Sequence, residues 1–353
     1  MSVTVGVIGC GGIARFHFAG LEKAGATVKW VCDLRSEAAK PWAEKFGARI
    51  TDDFRKVTRD PAVEAVFVTT FSGFHKAICL DAIEAGKAVV CEKTLAENAD
   101  DALAIVTRAK ERGTLFYTSY MKRFIPAVEQ AKALMPSLGR IVSMHIRAHQ
   151  CWGDLWAGNP GPGSFMHAPP GGKSEVVRRY GGGILVCGGS HILDLVNHFM
   201  GRPARLFATR VKPADRDYDL HATALMETAN GSVLVEALAH PLGQIGFLRD
   251  GWDERFEITG TAGRLELYSV AWDQFDHKAS MLVHYENETR TAKEYRYAPG
   301  SPFERADAFF LGQIASGQQG AQSALTGYEV DELIGAIQTS AAEGRAVDVA
   351  WRI

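Results

Sequence analysis

The sequence has no apolar run as long as the roughly 18 residues that a membrane-spanning helix needs. Its N-terminus lacks the basic, apolar, small-residue order of a secretory signal and leads straight into a strand-like stretch over residues 3–8. The expected location is therefore cytoplasmic. Excess charge of either sign is also missing. The 39 Lys and Arg residues nearly balance 41 Asp and Glu residues, for a net charge of -2. Such a chain has no bulk electrostatic reason to bind nucleic acid. Cysteine is sparse: Cys10, Cys32, Cys79, Cys91, Cys151 and Cys187 form no CxxC pair, so no zinc or redox signature is present and no metal is expected. Most of them sit in apolar patterns, where a reduced thiol acts as a small hydrophobe. What remains is an ordinary globular composition, 46% hydrophobic and 23% charged over 353 residues. That length is enough for two domains, each with its own core.

The first chemistry-bearing pattern comes early. A β-branched strand runs into Gly9-Cys10-Gly11-Gly12-Ile13-Ala14, and a helical stretch follows. Strand, glycine turn and helix together give the context in which GxGxxA carries meaning. Gly9 permits a tight turn, Gly11 lets a pyrophosphate reach the backbone, and Ala14 lets the helix lie close to the strand. The helix start then offers free N–H groups and a partial positive charge to phosphates. A second strand, Thr27–Cys32, ends at Asp33, at about the 20-residue spacing of an acidic ribose ligand. A carboxylate there repels a 2′-phosphate, which favours NAD over NADP. Arg35 pulls the other way, since arginine pairs readily with phosphate.

Strands and helices keep alternating. Strands are predicted at 63–69, 88–91 and 115–118, and helices at 75–85 (stopped by Gly86) and 100–112 (stopped by Gly113). This predicts an α/β domain with a doubly wound parallel sheet, whose ligands bind beyond the C-terminal strand ends. Thr69-Thr70-Phe71, Glu92-Lys93-Thr94 and Ser119-Tyr120 fall at such ends.

Four motifs in order along the chain resemble those of the glucose–fructose oxidoreductase and inositol dehydrogenase (Gfo/Idh/MocA) family. Ala85-Gly86-Lys87-Ala88-Val89-Val90-Cys91-Glu92-Lys93-Thr94 is similar to its AGKxVxxEKP motif. Tyr120-Met121-Lys122-Arg123-Phe124-Ile125-Pro126 is similar to YxxRFxP at the domain crossover. Gly182-Gly183 through His191 and Asp194 resembles GGGxLxDxGxHxxD, and Thr326-Gly327-Tyr328-Glu329 resembles the start of the closing helix. The resemblance implies a Rossmann domain over 1–122. It also implies a substrate-binding α+β domain over 123–353 with a large, mostly antiparallel open sheet, the last helix packing back toward the first domain. Stretches 205–211, 222–227, 232–239, 255–259 and 264–268 suit that sheet. Its open face implies a homodimer or homotetramer.

The resemblance further implies an NAD-dependent oxidoreductase that moves hydride between nicotinamide and a hydroxyl or ketone of a sugar, polyol or sugar acid. The matching lysine, Lys93, would bond the reacting hydroxyl and stabilise a developing alkoxide. His191, which titrates near neutral pH, would take its proton. Asp194, three residues on, shares a helix face with His191 and either orients it or pairs elsewhere. The cofactor set is Gly9, Gly11, Gly12, Ile13, Asp33, Arg35, Thr70, Phe71, Ser72, His75, Glu92, Lys93 and Met121; His75 reads as structural, held by backbone groups at a helix start. Arg123, Trp152, Trp156, Arg178 and Arg179 join Lys93 and His191 as candidate substrate contacts. The tryptophans could stack on sugar C–H faces, and the two arginines suit an acidic group.

Departures from the family pattern bear on the chemistry. Cys187 stands where the family has aspartate, four residues before His191, and a neutral thiol supplies little negative charge to an imidazolium. Thr94 replaces the proline after the lysine, and Phe71-Ser72 replaces Pro-Asn beside the nicotinamide ribose; Ser72 can still hydrogen-bond there. Residues 151–183 read as a long irregular loop, a length that is usually functional or disordered. Two rivals stand beside the dehydrogenase: an NAD-dependent glycosidase acting by transient oxidation and elimination, and a non-catalytic NAD- and sugar-binding sensor.

Overall fold

A strand that is apolar on both sides must lie in a sheet covered on both faces by helices. The computed structural model, which describes residues 2–156, 158, 164, 167 and 172–353, builds its first part in this way. In order come β1 (Thr4–Ile8), α1 (Ala14–Lys23), β2 (Thr27–Cys32), α2 (Ser36–Phe46), β3 (Arg49–Thr51), α3 (Phe54–Thr58), β4 (Ala65–Val68), α4 (Ser72–Glu84), β5 (Ala88–Glu92), α5 (Ala99–Arg112) and β6 (Phe116–Ser119). The strands are parallel in the order β3-β2-β1-β4-β5-β6, the doubly wound sheet that was expected. All of β4 is buried, as its Ala-Val-Phe-Val sequence requires. Helix α5 opens on Asn98, whose side chain accepts the Asp101 N–H, and closes on Gly113 in the left-handed region. Helix α4 begins at Ser72, three residues before the predicted start at His75.

The chain continues with α6 (Pro126–Leu134), β7 (Ile141–Cys151), α7 (Glu175–Tyr180), α8 (Ser190–Met200), β8 (Arg205–Val211), β9 (His221–Thr228), β10 (Gly231–His240), β11 (Trp252–Gly260), β12 (Gly263–Ser269), β13 (Met281–Glu286), β14 (Thr291–Arg296), α9 (Pro302–Ser316), α10 (Ala324–Glu343) and β15 (Val347–Asp348). These strands form a nine-stranded sheet, β14-β13-β12-β11-β7-β10-β9-β8-β15. It is antiparallel apart from the β7–β10 pair. Its central strand, β7, was not among the predicted strands. Met144, Ile146 and Ala148 alternate inward there, and His145, Arg147 and His149 outward. Helix α8 packs on β7 and β10, where Ala148, Ala237 and Ala239 are small enough to let it approach. On the other face, Phe207, Leu225 and Leu234 stand directly opposite one another across β8, β9 and β10 and are exposed by 44, 54 and 39%.

Contacts divide the chain into two units, Met1–Met121 with Pro302–Asp331, and Lys122–Ser301 with Glu332–Ile353. The second stretch is thus not unbroken from 123 to 353. Helix α9 belongs to the first unit because it packs along α1: Phe303 stacks on Phe16 at 4.8 Å, and Asp307 pairs with the buried His17. Part of the segment 151–183 is more regular than predicted. It holds a 3-10 turn, Gly153–Trp156, and helix α7, whose Ser174 cap accepts the Val177 N–H and whose Gly181 closes it in the left-handed region. Asn159, Pro160, Gly161, Pro162, Gly163, Pro169, Pro170 and Gly171 lie outside the described residues. Among the described residues, no helix is long and apolar enough to cross a membrane.

Gly327 explains one motif in packing terms. A Cβ there would sit 2.5 Å from the Leu95 Cβ and 2.8 Å from the Thr118 Oγ1, so only glycine lets α10 pass this close to the stretch after β5. Gly327→Ala is expected to cost about 1–3 kcal/mol through overpacking, read as a lower urea midpoint at unchanged slope.

Candidate active site

At the end of β1 the chain turns at Gly9 with φ +99°, and a Cβ there would lie 2.8 Å from the carbonyl carbon and oxygen of Thr69. The turn is pinned to both neighbouring strands. The Gly9 N–H donates to the Cys32 carbonyl at 2.7 Å, and the Thr69 hydroxyl donates to the Gly9 carbonyl at 2.6 Å. Asp33 is fixed by the same turn: its Oδ2 accepts the Cys10 N–H and its Oδ1 the Arg35 N–H, both at 2.8 Å. A carboxylate has about four lone-pair sites, so capacity remains for ribose hydroxyls. The Arg35 guanidinium lies mostly in solvent, 3.9 Å from Asp33. Burial, reinforced by Asp33, pushes the Cys10 and Cys32 thiols up to about 12, which keeps both neutral.

The residues present fit a dinucleotide. A Cβ on Gly11 or Gly12 would meet nothing within 4 Å, so this side of the turn is open while the Gly9 side is closed. Helix α1 starts immediately after, presenting its N-terminal amides and dipole to that open side. Gly9, Gly11, Gly12 and Ile13 would hold the pyrophosphate and Asp33 the adenosine ribose.

Thr70-Phe71-Ser72, Glu92-Lys93-Thr94 and Ser119-Tyr120-Met121 lie at the C-terminal ends of the adjacent strands β4, β5 and β6. His75 is fully buried, its ring nitrogens 2.9 Å from the Thr94 carbonyl oxygen and 3.1 Å from that of Thr70. Burial holds its pKa below the usual histidine value. The ring ties the stretch after β4 to the stretch after β5. Glu92 is buried, and its Oε2 accepts the Lys93 backbone N–H at 3.1 Å. The Lys93–Thr94 peptide is cis. On the far side, Asp331 accepts the Ala96 N–H at 2.9 Å.

Sequence reasoning missed the partner of Glu92. His17, on α1, is 1% exposed and places Nε2 2.9 Å from Glu92 Oε1 and Nδ1 3.0 and 3.2 Å from the two oxygens of Asp307. Burial alone would lower its pKa, but Asp307 and Glu92 together raise it to about 10. A histidine four residues into the helix after a glycine turn was the available signal.

In the second unit, Gly183 sits where a Cβ would lie 2.1 Å from the Asp219 carbonyl oxygen. The Asp219 side chain accepts the Leu185 N–H at 2.8 Å and so anchors the wide π-helical turn Leu185–Gly189 that holds Cys187. Helix α8 continues from this turn, with His191 its second residue. Asp194 is fully buried, and its carboxylate is gripped by Arg123, with Nε 3.1 and 2.9 Å and Nη2 2.5 Å from its oxygens. Of the two roles expected for Asp194, pairing elsewhere describes this contact. Arg123, expected at the substrate, has its guanidinium on Asp194. Lys122, beside it, forms a second buried pair with Glu254. Arg178 and Arg179, expected to hold an acidic group, both pair with Glu175, at 2.8 and 2.5 Å on their own short helix. Trp156 donates its indole N–H to the Ala239 carbonyl at 2.6 Å, and Trp152 is half-buried.

A doubly wound parallel sheet, a glycine turn with one open side and an acidic residue at the end of β2 define a dinucleotide-binding protein. Residues 3–120 match a model described as an oxidoreductase family with an NAD-binding Rossmann fold, and residues 128–266 match the GFO/IDH/MocA C-terminal domain. The chain belongs to the Gfo/Idh/MocA family of oxidoreductases, and its cofactor is NAD. It is 26% identical to inositol 2-dehydrogenase 3 of Saccharopolyspora erythraea over 361 residues, which covers 100% of this chain and 97% of the relative. It is 32% identical to inositol 2-dehydrogenase of Acidothermus cellulolyticus over 277 residues, 76% of this chain and 73% of the relative. A levoglucosan dehydrogenase solved with NADH and levoglucosan shares its fold, with a TM-score of 0.83 at 23% identity, over 99% of this chain and 100% of that one.

Two outcomes follow from the buried charges. Asp194→Ala removes the carboxylate that Arg123, 15% exposed, grips, and is expected to cost about 3–5 kcal/mol in urea unfolding; replacing both with apolar residues should cost less than the single change. The His17 pKa is raised from 6.5 to about 10, so its stabilisation is complete below about pH 6.5 and is lost as pH rises toward about 10. A melting temperature that falls over this alkaline range, and a flatter profile for His17→Gln, is the expected result.

Proposed function

We propose that the protein oxidises a secondary hydroxyl of a sugar or polyol with NAD, or reduces the matching ketone in reverse. The observation that carries this reading is the placement of Lys93. It follows the end of β5 in the sheet whose β1 end bears the glycine turn, and its backbone is held by Glu92. The names of the inositol and levoglucosan dehydrogenases support a polyhydroxylated substrate. Bound nicotinamide would supply the hydride acceptor. Lys93 stabilises the oxygen as charge develops on it, and His191 accepts the hydroxyl proton.

Cys187 favours a second reading. A thiol stands at that position where the family has a carboxylate, and a glycosidase working by transient oxidation and elimination is the alternative. The exposed row of Phe207, Leu225 and Leu234 supports assembly as a homodimer or homotetramer through the open sheet face.

A panel of polyols, sugars and aryl glycosides incubated with NAD separates the readings. Net NADH formation is expected; leaving-group release without net NADH would replace the dehydrogenase with the glycosidase. Lys93→Ala is expected to lower kcat/KM by about 10²–10³-fold with NADH binding retained. Full turnover in that variant removes the assignment of Lys93.

A further inference from the structure

Glu92 belongs to a closed ionic cluster in the first unit, made by three elements far apart in sequence. His17 comes from α1, Glu92 from the end of β5 and Asp307 from α9. Both ring nitrogens of His17 face carboxylate oxygens, and only an imidazolium can donate from both. Phe67 and Phe303 pack against the ring at steep interplanar angles, with centroids at 5.9 and 5.7 Å. Gly20, one turn further along α1, leaves the space that Asp307 fills: a Cβ there would lie 2.3 Å from Asp307 Oδ2. The charged groups facing His17 are Asp307 and Glu92, with Lys93 next to Glu92 and Glu304 next to Asp307.

The wiring is directional. Glu92 uses one oxygen for His17 and the other for the backbone N–H of Lys93, so a single carboxylate links the ring to the peptide of Lys93. The same ring is carried by the helix that starts at the open side of the glycine turn. We propose that His17 is a positioning residue for the reaction: by donating to Glu92 and Asp307 together, it holds the peptide of Lys93 in register with the helix that receives the dinucleotide. This rests on the reading of Lys93 as the group that holds the reacting oxygen.

The test uses the full-length protein and the variants His17→Gln and Asp307→Asn, the second of which leaves the His17–Glu92 contact in place. Hydrogen exchange of the Lys93 amide is read by mass spectrometry. It is expected to speed up by about tenfold or more in His17→Gln and by less in Asp307→Asn, while peptides of α5 are unchanged. In 15N spectra of histidine-labelled protein at about pH 8, a doubly protonated ring is expected that disappears in His17→Gln. With NAD and myo-inositol or levoglucosan, kcat should fall about ten- to a hundredfold while the NADH dissociation constant, read by fluorescence, moves less than about threefold. Unchanged Lys93 exchange in His17→Gln overturns the proposal whatever the turnover, and so does acceleration shared equally by α5. If His17→Gln does not fold, unchanged Lys93 exchange in Asp307→Asn overturns it. Full turnover in Lys93→Ala overturns the reading of Lys93 instead, and leaves the exchange result standing as a statement about the backbone.

Discussion

The first unit depends on one close approach. At Gly9 the backbone of the turn comes so near the Thr69 peptide that no side chain fits, and hydrogen bonds to the ends of β2 and β4 hold it there. That contact sets where α1 begins, which face of Gly11 and Gly12 is open, and where Asp33 presents its carboxylate. A turn displaced by even a methyl group would shift the start of α1 and break the Asp33–Cys10 bond. The glycine is therefore a geometric requirement of the fold.

Buried charge is the second organising feature. His17 with Glu92 and Asp307, Arg123 with Asp194, and Lys122 with Glu254 each close an ionic contact out of water. Such contacts add little net stability against an apolar replacement, because desolvation offsets most of the Coulomb gain. Their value is directional. Apolar packing tolerates a slide, whereas a bidentate guanidinium–carboxylate contact tolerates very little. In each unit the charged contact adjoins a residue given a chemical role: Glu92 precedes Lys93, and Asp194 lies one turn beyond His191.

Much of this was legible before any coordinates. The strand, glycine turn and helix, the spacing to Asp33 and the regular alternation led to the parallel sheet, and Thr27–Cys32 and Arg205–Val211 are strands with the bounds expected. Other elements were obscured for identifiable reasons. Helix α2 contains Pro41, which removes a backbone donor and reads as a break. Strand β7 alternates properly, but its outward residues are His and Arg and its inward ones include Ala, so the hydrophobic signal is faint. Helix α9 joins the first unit through Asp307 and Phe303, partners nearly 300 residues from His17 and Phe16 that no local pattern connects.

The sequence by itself determined the nucleotide-binding half, because glycine conformation, strand periodicity and the spacing from turn to acid are local properties. Only the tertiary structure decided whom the charged groups serve. Arg123 closes on Asp194, Arg178 and Arg179 share Glu175, and His17 reaches Glu92, since a charge held away from bulk water takes whichever opposite charge the packed chain brings within hydrogen-bonding distance.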